Sequence, residues 1–440
     1  MINAATPEES ESVVLRVLLP LPLSGAYDYR ADAGSGLRPG DFVRVPLGNR
    51  VALGVVWDGE AEAAEGEGPA RRLKDVISRV GGARLPEATR RFVDWVAQYT
   101  MSPPGAVLRM AMSVPEAIEP PVAASGWILA PGAEIPVAEP GAPRVTPARR
   151  RVLDAMAAMP AESAAAIATR AGVGAGVVRA MAEAGLLVSA PILAPAAPAP
   201  DGDHPGPDLS PTQAAAARRL AAAVDGGFRV VLLDGVTGAG KTEVYFEAVA
   251  AALRAGRQVL VLLPEIAMSA QWLARFTARF GAPPASWHSE LGHGPRVRTW
   301  RDVADGTARV VVGARSALFL PYRDLGLIVV DEEHEQAFKQ EEGVIYHARD
   351  MAVVRARLGR IPIALVSATP SIETVVNVAR GRYEAVHLPA RHGGARLPRI
   401  ELVDLRREPP PARQWIGPRL REALARTLAA GAQAMLFLNR

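Results

Sequence analysis

Apolar positions along this chain follow two patterns, and the change between them divides it into segments. From residue 209 onward short runs are almost continuously apolar, at Phe228 to Leu233, Leu325 to Val330 and Ile363 to Val366. Such a run has no polar face, which predicts strands buried on both sides of a parallel sheet. A helical stretch follows the first of them: Glu243 to Ala255 is rich in Ala, Leu and Glu, and Gly256 is placed to end it as a C-cap. The first hundred residues read differently. Val13 to Leu19, Asp41 to Pro46 and Val51 to Trp57 are strand-like runs divided by Gly and Pro turns, and Pro86 to Tyr99 predicts a helix. Residues 1–115 are therefore expected to form a β-rich module.

Residues 113–145 and 190–208 are dense in Pro and Ala with little amphipathic period, and read as linkers. The island between them, residues 146–189 within a segment 116–208, is patterned. Helices are predicted at Pro147 to Met159, Ser163 to Ala171 and Val177 to Ala184, with a turn over Gly172 to Gly176 and a strand at Gly185 to Val188. That order is the order of a winged helix, whose Arg149, Arg150, Arg151, Arg170 and Arg179 would face duplex DNA unless the module is a spacer or a protein contact. An α/β domain is expected over 209–390. Residues 391–440 begin another, closing on the apolar run Ala434 to Arg440, read as an opening strand.

Composition narrows the function classes. No run reaches 18 apolar residues and Met1 to Glu11 is acidic, so neither a membrane span nor a signal peptide is expected, and the chain is placed in the cytoplasm. It has no cysteine, which removes disulfides and thiolate zinc sites. Glu60 to Gly68 reads as a flexible loop. Net charge says little about nucleic acid: residues 390–440 hold 10 arginines against four acids, and the other residues sum to −2. Any contact with DNA must rest on local grooves. Lysine is more informative. Only Lys74, Lys241 and Lys339 occur among 50 basic residues, so each marks a place where a compact ammonium rather than a guanidinium is wanted.

Lys241 belongs to Gly235-Val236-Thr237-Gly238-Ala239-Gly240-Lys241-Thr242, which satisfies G-x-x-x-x-G-K-[ST] between a predicted strand and a predicted helix. Backbone N–H groups and the positive helix end then face a polyphosphate, with Lys241 near the outer phosphates and the Thr242 hydroxyl on Mg²⁺. About 90 residues on, the strand at Leu325 to Val330 runs into Asp331-Glu332-Glu333-His334. Asp331 would hold Mg²⁺ through water and Glu332 would polarise the attacking water.

Further strings are collinear with these: LPEIAMSAQ at 263–271, WHSEL at 287–291, GARSALFLP at 313–321, VVDEEHEQAFKQEEG at 329–343, YHARDMAVVRA at 346–356 and LVSATPSIE at 365–373. With GVTGAGKTEVY at 235–245 they resemble the DExH class of superfamily 2 helicases and, within it, the PriA family of bacterial replication-restart (primosomal) helicases. The resemblance runs from about residue 13 to the last residue and is densest between 209 and 375.

It implies a multidomain α/β fold: a β-rich N-terminal DNA-binding domain, a winged helix, and a RecA-like P-loop helicase lobe with a mainly parallel sheet. Gln213 would read adenine, and Glu333 and His334 would join Asp331 and Glu332 at ATP. Ser367, Ala368 and Thr369 would couple nucleotide state to DNA. Tyr27, Asp28 and Tyr29, with Arg72-Leu73-Lys74, resemble the pocket for the 3′ end of a leading strand, although Tyr-Asp-Tyr is also a pattern of core aromatics flanking a capping aspartate. In the loop after the acidic residues Phe338, Tyr346 and His347 would stack on bases, and Lys339 and Arg349 would meet phosphates, unless the loop is merely solvated with anchoring aromatics, and Arg315 would also contact DNA. Ile345 stands where many relatives carry arginine. Implied cofactors are ATP and Mg²⁺, and zinc in full-length members through cysteines absent here. Implied partners are forked and single-stranded DNA, primosome proteins, a replicative helicase loader and single-stranded DNA-binding protein. The expected activity is an ATP-dependent 3′-to-5′ DNA helicase of replication restart. This chain is expected to be a truncated form, lacking most of the second lobe, that binds ATP and forked DNA but unwinds poorly. The alternatives are a non-enzymatic fork-binding module and a superfamily 2 translocase on duplex DNA.

Overall fold

In a computed structural model of the chain the apolar runs become strands of two sheets. The structure describes residues 12–59, 73–120, 125–131, 146–156, 161–191, 198–264, 267–391 and 399–437. Met1 to Glu11, the whole Glu60 to Gly68 loop with Arg72, Glu265-Ile266 and residues 438–440 lie outside these, as do parts of both linkers. The chain divides into two units, Met1–Ala390 and Arg391–Arg440.

The N-terminal module holds β1 (Ser12–Leu18), β2 (Tyr27–Asp32), β3 (Asp41–Leu47), β4 (Arg50–Val56) and β5 (Ser78–Arg84), followed by α1 (Glu87–Thr100) and α2 (Pro104–Ala111). Its sheet is antiparallel with order β2-β1-β4-β3-β5. Strand residues alternate between faces. Val17, Val43, Val45 and Val56 pack with Tyr29 and Leu19 on one face, while Leu18, Phe42, Val55 and Trp57 meet α1 and α2 on the other. Two strands were not foreseen. β2 carries Tyr27-Asp28-Tyr29, and the Gly-Gly pair in β5 hides its strand character, with Gly81 at φ 66° where a Cβ would collide with the Ile118 carbonyl oxygen at 2.5 Å.

Next come β6 (Ser125–Leu129), α3 (Pro147–Met156), α4 (Ala164–Ala171), α5 (Ala175–Glu183) and β7 (Leu187–Pro191). Three helices around Val152, Leu153, Ile167, Val178 and Met181, with an antiparallel β6–β7 ribbon, make the winged helix. The linker reading of 113–145 is corrected at two places. Ala117 and Ile118 are buried in the N-terminal core, and β6 completes the wing through cross-strand bonds that sequence periodicity does not reveal. Residues 198–208 are also docked: Arg254 donates to the Gly202 carbonyl at 2.8 Å.

The lobe that follows contains α6 (Pro211–Ala223), β8 (Val230–Gly235), α7 (Lys241–Arg254), β9 (Gln258–Leu262), α8 (Ala270–Phe280), β10 (Ala285–Trp287), α9 (His293–Asp305), β11 (Val310–Gly313), β12 (Leu325–Asp331), the short pair β13 (Lys339–Gln340) and β14 (Tyr346–His347), α10 (Ala348–Gly359), β15 (Ile363–Ser367), α11 (Ile372–Ala379) and β16 (Glu384–Leu388). Seven strands form one all-parallel sheet, ordered β10-β11-β9-β12-β15-β8-β16, which is the RecA-like arrangement. The continuous apolar runs now have their physical reason. Val231, Leu233, Val259, Val261, Val329 and Val366 face a core with α6, α7 and α8, while Val230, Leu232, Leu260, Ile328, Val330 and Leu365 face the opposite one.

That second core is continuous with the N-terminal module. Phe92 of α1 lies 5.1 Å from Phe319, Trp300 of α9 donates to the Ala111 carbonyl at 2.9 Å, and the fully buried Arg355 of α10 donates to Thr89 Oγ1 at 3.2 Å and to the Leu320 carbonyl at 3.0 Å. Module and lobe thus share one hydrophobic core. In the second unit, α12 (Pro418–Ala429) starts after Gly417. The strand expected from Ala434 is not formed over residues 434–437, whose apolar side chains are exposed and find no partner strand among the described residues.

Candidate functional site

The phosphate loop joins β8 to α7 as the sequence spacing requires. Gly238 and Gly240 take φ values of 80° and 81°, a left-handed conformation that side chains resist. Gly240 also leaves no space, because a Cβ there would lie 2.3 Å from Gln213 Nε2. Lys241 opens α7, and its ammonium donates to the carbonyls of Gly235 at 2.9 Å and Val236 at 3.5 Å, which keeps it at the loop. Ser210 and Gln213 form a capping box at the start of α6. Gln213 accepts from the Ser210 N–H at 2.9 Å and donates to the Ala239 carbonyl at 2.9 Å. Where Gln213 was expected to read adenine, both ends of its buried amide are engaged by protein, and it braces the phosphate loop.

β12 delivers the acidic residues beside that loop. Asp331 is buried, and its two oxygens are each held once: Oδ1 accepts from the Glu332 N–H at 3.0 Å and Oδ2 from the Tyr245 hydroxyl at 3.0 Å. Burial, reinforced by the Glu332 charge, pushes its pKa up to about 6, against which the Tyr245 bond and Lys241 act. One lone pair on each oxygen remains for a metal-bound water. With Thr242 adjacent to Lys241 on α7, this hard-oxygen donor set fits Mg²⁺ shared with a polyphosphate. Among the described residues no group of three or more His, Asp or Glu side chains could hold a metal ion, so substrate phosphates would have to supply the rest of the shell. Glu332 adopts φ 52°, a strained conformation that turns its half-exposed carboxylate out of the strand.

The next two residues are held by partners within the protein. Glu333 is fully buried. It accepts from the Ser371 N–H at 2.7 Å, the Ser371 and Thr374 hydroxyls at 3.0 Å each, and Arg349 at 3.3 Å. It ties β12 to α10 and α11. His334 Nδ1 lies 2.8 Å from Ser367 Oγ, which also accepts from the Thr369 N–H at 2.9 Å. The acidic turn and the Ser367-Ala368-Thr369 segment are therefore one hydrogen-bonded unit.

The loop expected to meet DNA is anchored from beneath. Phe338 and Tyr346 are buried, Tyr346 edge-on to Phe319 at 5.6 Å, so neither ring offers a face for base stacking here. Arg349 is also buried, on Glu333, Asp350 and Ser371, and is a structural cation rather than a phosphate contact. Arg315 donates to the Ala337 carbonyl at 3.2 Å and the Lys339 carbonyl at 2.5 Å, holding the loop's path. Lys339 stays exposed beside Glu341 at 3.3 Å, and Ile345 is exposed. Exposed groups of this kind remain available to a strand.

In the N-terminal module Tyr29 is a core residue, buried and donating to the Pro46 carbonyl at 3.2 Å. Tyr27 is exposed at the strand end, Asp28 sits opposite Arg16 in the β1–β2 register, and Lys74 runs beside Arg30 of β2 with its ammonium 3.2 Å from the Gly48 carbonyl. The structure brings Tyr27, Asp28 and Lys74 to one edge. Sequence reasoning missed Tyr245 and Trp272. The available signal was helical spacing, since Tyr245 falls one turn after Lys241 on the sheet-facing side of α7.

With this geometry in hand, comparison with known proteins is specific. Residues 210–378 match the DEAD/DEAH box helicase family, and residues 16–113 match the 3′ DNA-binding domain family of PriA. Replication restart protein PriA of Rickettsia conorii is 43% identical over 234 residues, covering 53% of this chain and 36% of the relative. The Bacillus subtilis protein of the same name is 43% identical over 213 residues, covering 48% and 26%, and that of Haemophilus influenzae 41% identical over 214 residues, covering 49% and 29%. The matched segment spans about a third of the length of these relatives.

Proposed function

Because this chain belongs to the PriA family over its 3′ DNA-binding and DEAD/DEAH box segments, we propose that it binds MgATP at the phosphate loop and engages forked DNA, as part of an ATP-dependent 3′-to-5′ helicase of replication restart. One observation carries the nucleotide half: Lys241, Thr242 and Asp331 converge where β8 and β12 end, with Gln213 bracing the loop from α6. The lysine would meet the outer phosphates, Thr242 and Asp331 would hold Mg²⁺, and Glu332 would orient water. Bound Mg²⁺ would neutralise charge that develops on the transferred phosphoryl group. Tyr27, Asp28 and Lys74 form the proposed pocket for a 3′ end, where Lys74 would neutralise backbone and Asp28 would accept from a base edge. Lys339 would meet single-stranded DNA.

The shared core between module and lobe supports a single machine rather than two tethered ones, since Phe92 of the module packs against Phe319 and Arg355 of the lobe. Primosome proteins, a helicase loader and single-stranded DNA-binding protein are proposed partners, and the cytoplasm the proposed location. No helix among the described residues is long and apolar enough to cross a membrane. The reading is tested by competition at fixed salt between forks with a free 3′ leading end and forks with that end blocked. A preference for the free end is expected, and equal affinity would remove the pocket.

A further inference from the structure

Tyr245 is a fully buried phenol between the two residues proposed to hold Mg²⁺. Its hydroxyl donates to Asp331 Oδ2 at 3.0 Å and accepts from the Trp272 indole N–H at 2.8 Å, and Thr242 lies three residues before it on the same helix. Three elements meet at one oxygen: α7 supplies Tyr245, β12 supplies Asp331 and α8 supplies Trp272. The direction of the bonds is fixed by chemistry. An indole N–H can only donate, so it must take a lone pair of the phenol, which sends the single phenol proton to the carboxylate. Packing alone would be served as well by phenylalanine, since the ring already sits edge-on to Phe246 at 5.2 Å. A buried hydroxyl costs free energy unless it is bonded, and here its donor and acceptor capacity is used.

We infer that Tyr245, oriented by Trp272, is a positioning residue that holds the Asp331 carboxylate in the arrangement that receives Mg²⁺ beside Thr242. The inference rests on the nucleotide-site reading above. With Oδ1 on the Glu332 N–H and Oδ2 on Tyr245, the carboxylate plane cannot rotate, and the free lone pair of each oxygen keeps one direction. Removing the hydroxyl releases Oδ2 while the carboxylate remains. Partners of this kind behind a metal-binding group are worth about 10- to 100-fold in metal affinity.

The test is the Mg²⁺ requirement for nucleotide binding by the whole chain, read by titration of a fluorescent ATP analogue at increasing Mg²⁺ and, separately, in EDTA. Tyr245→Phe is expected to raise the Mg²⁺ concentration at half-saturation about tenfold and to leave binding in EDTA as in the wild type. Trp272→Phe, which keeps a ring and loses the N–H, is expected to move it in the same direction by less. An unchanged Mg²⁺ requirement in Tyr245→Phe would overturn the inference, as would equal losses with and without Mg²⁺, which would mark Tyr245 as packing alone. Should Tyr245→Phe fail to fold, Trp272→Phe carries the same two outcomes. Failure of the wild type itself to bind nucleotide would refute the underlying site reading, so the two failures are told apart.

Discussion

His334 Nδ1 lies 2.8 Å from Ser367 Oγ, a contact that joins the turn after β12 to the end of β15. Because Ser367 Oγ also receives the Thr369 N–H, we propose that a change at the acidic turn is passed to the segment that leads into α11. Ser367→Ala removes both bonds without touching the phosphate loop. Nucleotide affinity is expected to stay within about threefold, while the effect of bound nucleotide on fork affinity falls by about 1 kcal/mol, the size of one ordinary hydrogen bond. Fork titrations with and without MgATP, in wild type and variant, measure that linkage.

Arg355 is the buried charge of the shared core, stacked over Phe92 and Tyr322 and bonded to Thr89 and Leu320. Burial lowers its pKa to about 10, so the folded state bears a desolvation cost there. Arg355→Ala leaves a cavity and orphans both partners, and is expected to destabilise the protein by about 3 kcal/mol. Arg355→Met, which fills the volume without charge, is expected to cost less. Urea unfolding of the two variants checks the order.

Much of this site is legible in the sequence. Lys241, Thr242 and Asp331 come together because the spacing of glycines and the apolar runs on either side admit few arrangements of strand, loop and helix. What stayed hidden has a common cause. Glu333 and Arg349 are polar residues whose burial depends on each other, and no one-dimensional pattern tells a paired buried charge from a solvated one. Tyr29 and Phe338 were read as possible contacts because aromatics serve cores and bases alike. β6 escaped because its partner β7 is about 60 residues away, so the pairing is long-range and leaves no local period.

His347 is partly buried, and its Nδ1 has no hydrogen-bond partner among the described residues. Burial, then the nearby Arg349 charge, holds its pKa below the usual 6.5, although Asp350, Glu333 and Glu373 pull the other way. A histidine depressed in the folded state takes up its proton more readily when unfolded. Its contribution is therefore complete above pH 6.5 and is lost as pH falls through 6.5 toward the folded value. His347→Gln is expected to flatten stability against pH below 6.5 relative to wild type, as read by urea midpoints.

Lys74 stands alone as the exposed ammonium beside β2 on the proposed 3′-end edge. Lys74→Ala is expected to weaken binding to forks with a free 3′ leading end by about threefold to tenfold, the worth of one phosphate contact, and to spare blocked forks. Equal weakening of both would make Lys74 a general phosphate contact.

The central claim is that the loop from Gly235 to Thr242 and the end of β12 form one MgATP site. Isothermal titration of MgATP into the 440-residue chain and its Lys241→Ala and Lys241→Arg variants tests it most directly. Saturable one-to-one binding by the wild type, weakened at least about tenfold by either substitution, is expected from the loss of a charged phosphate contact. Equal affinity in all three proteins, or no binding by the wild type, would contradict the account.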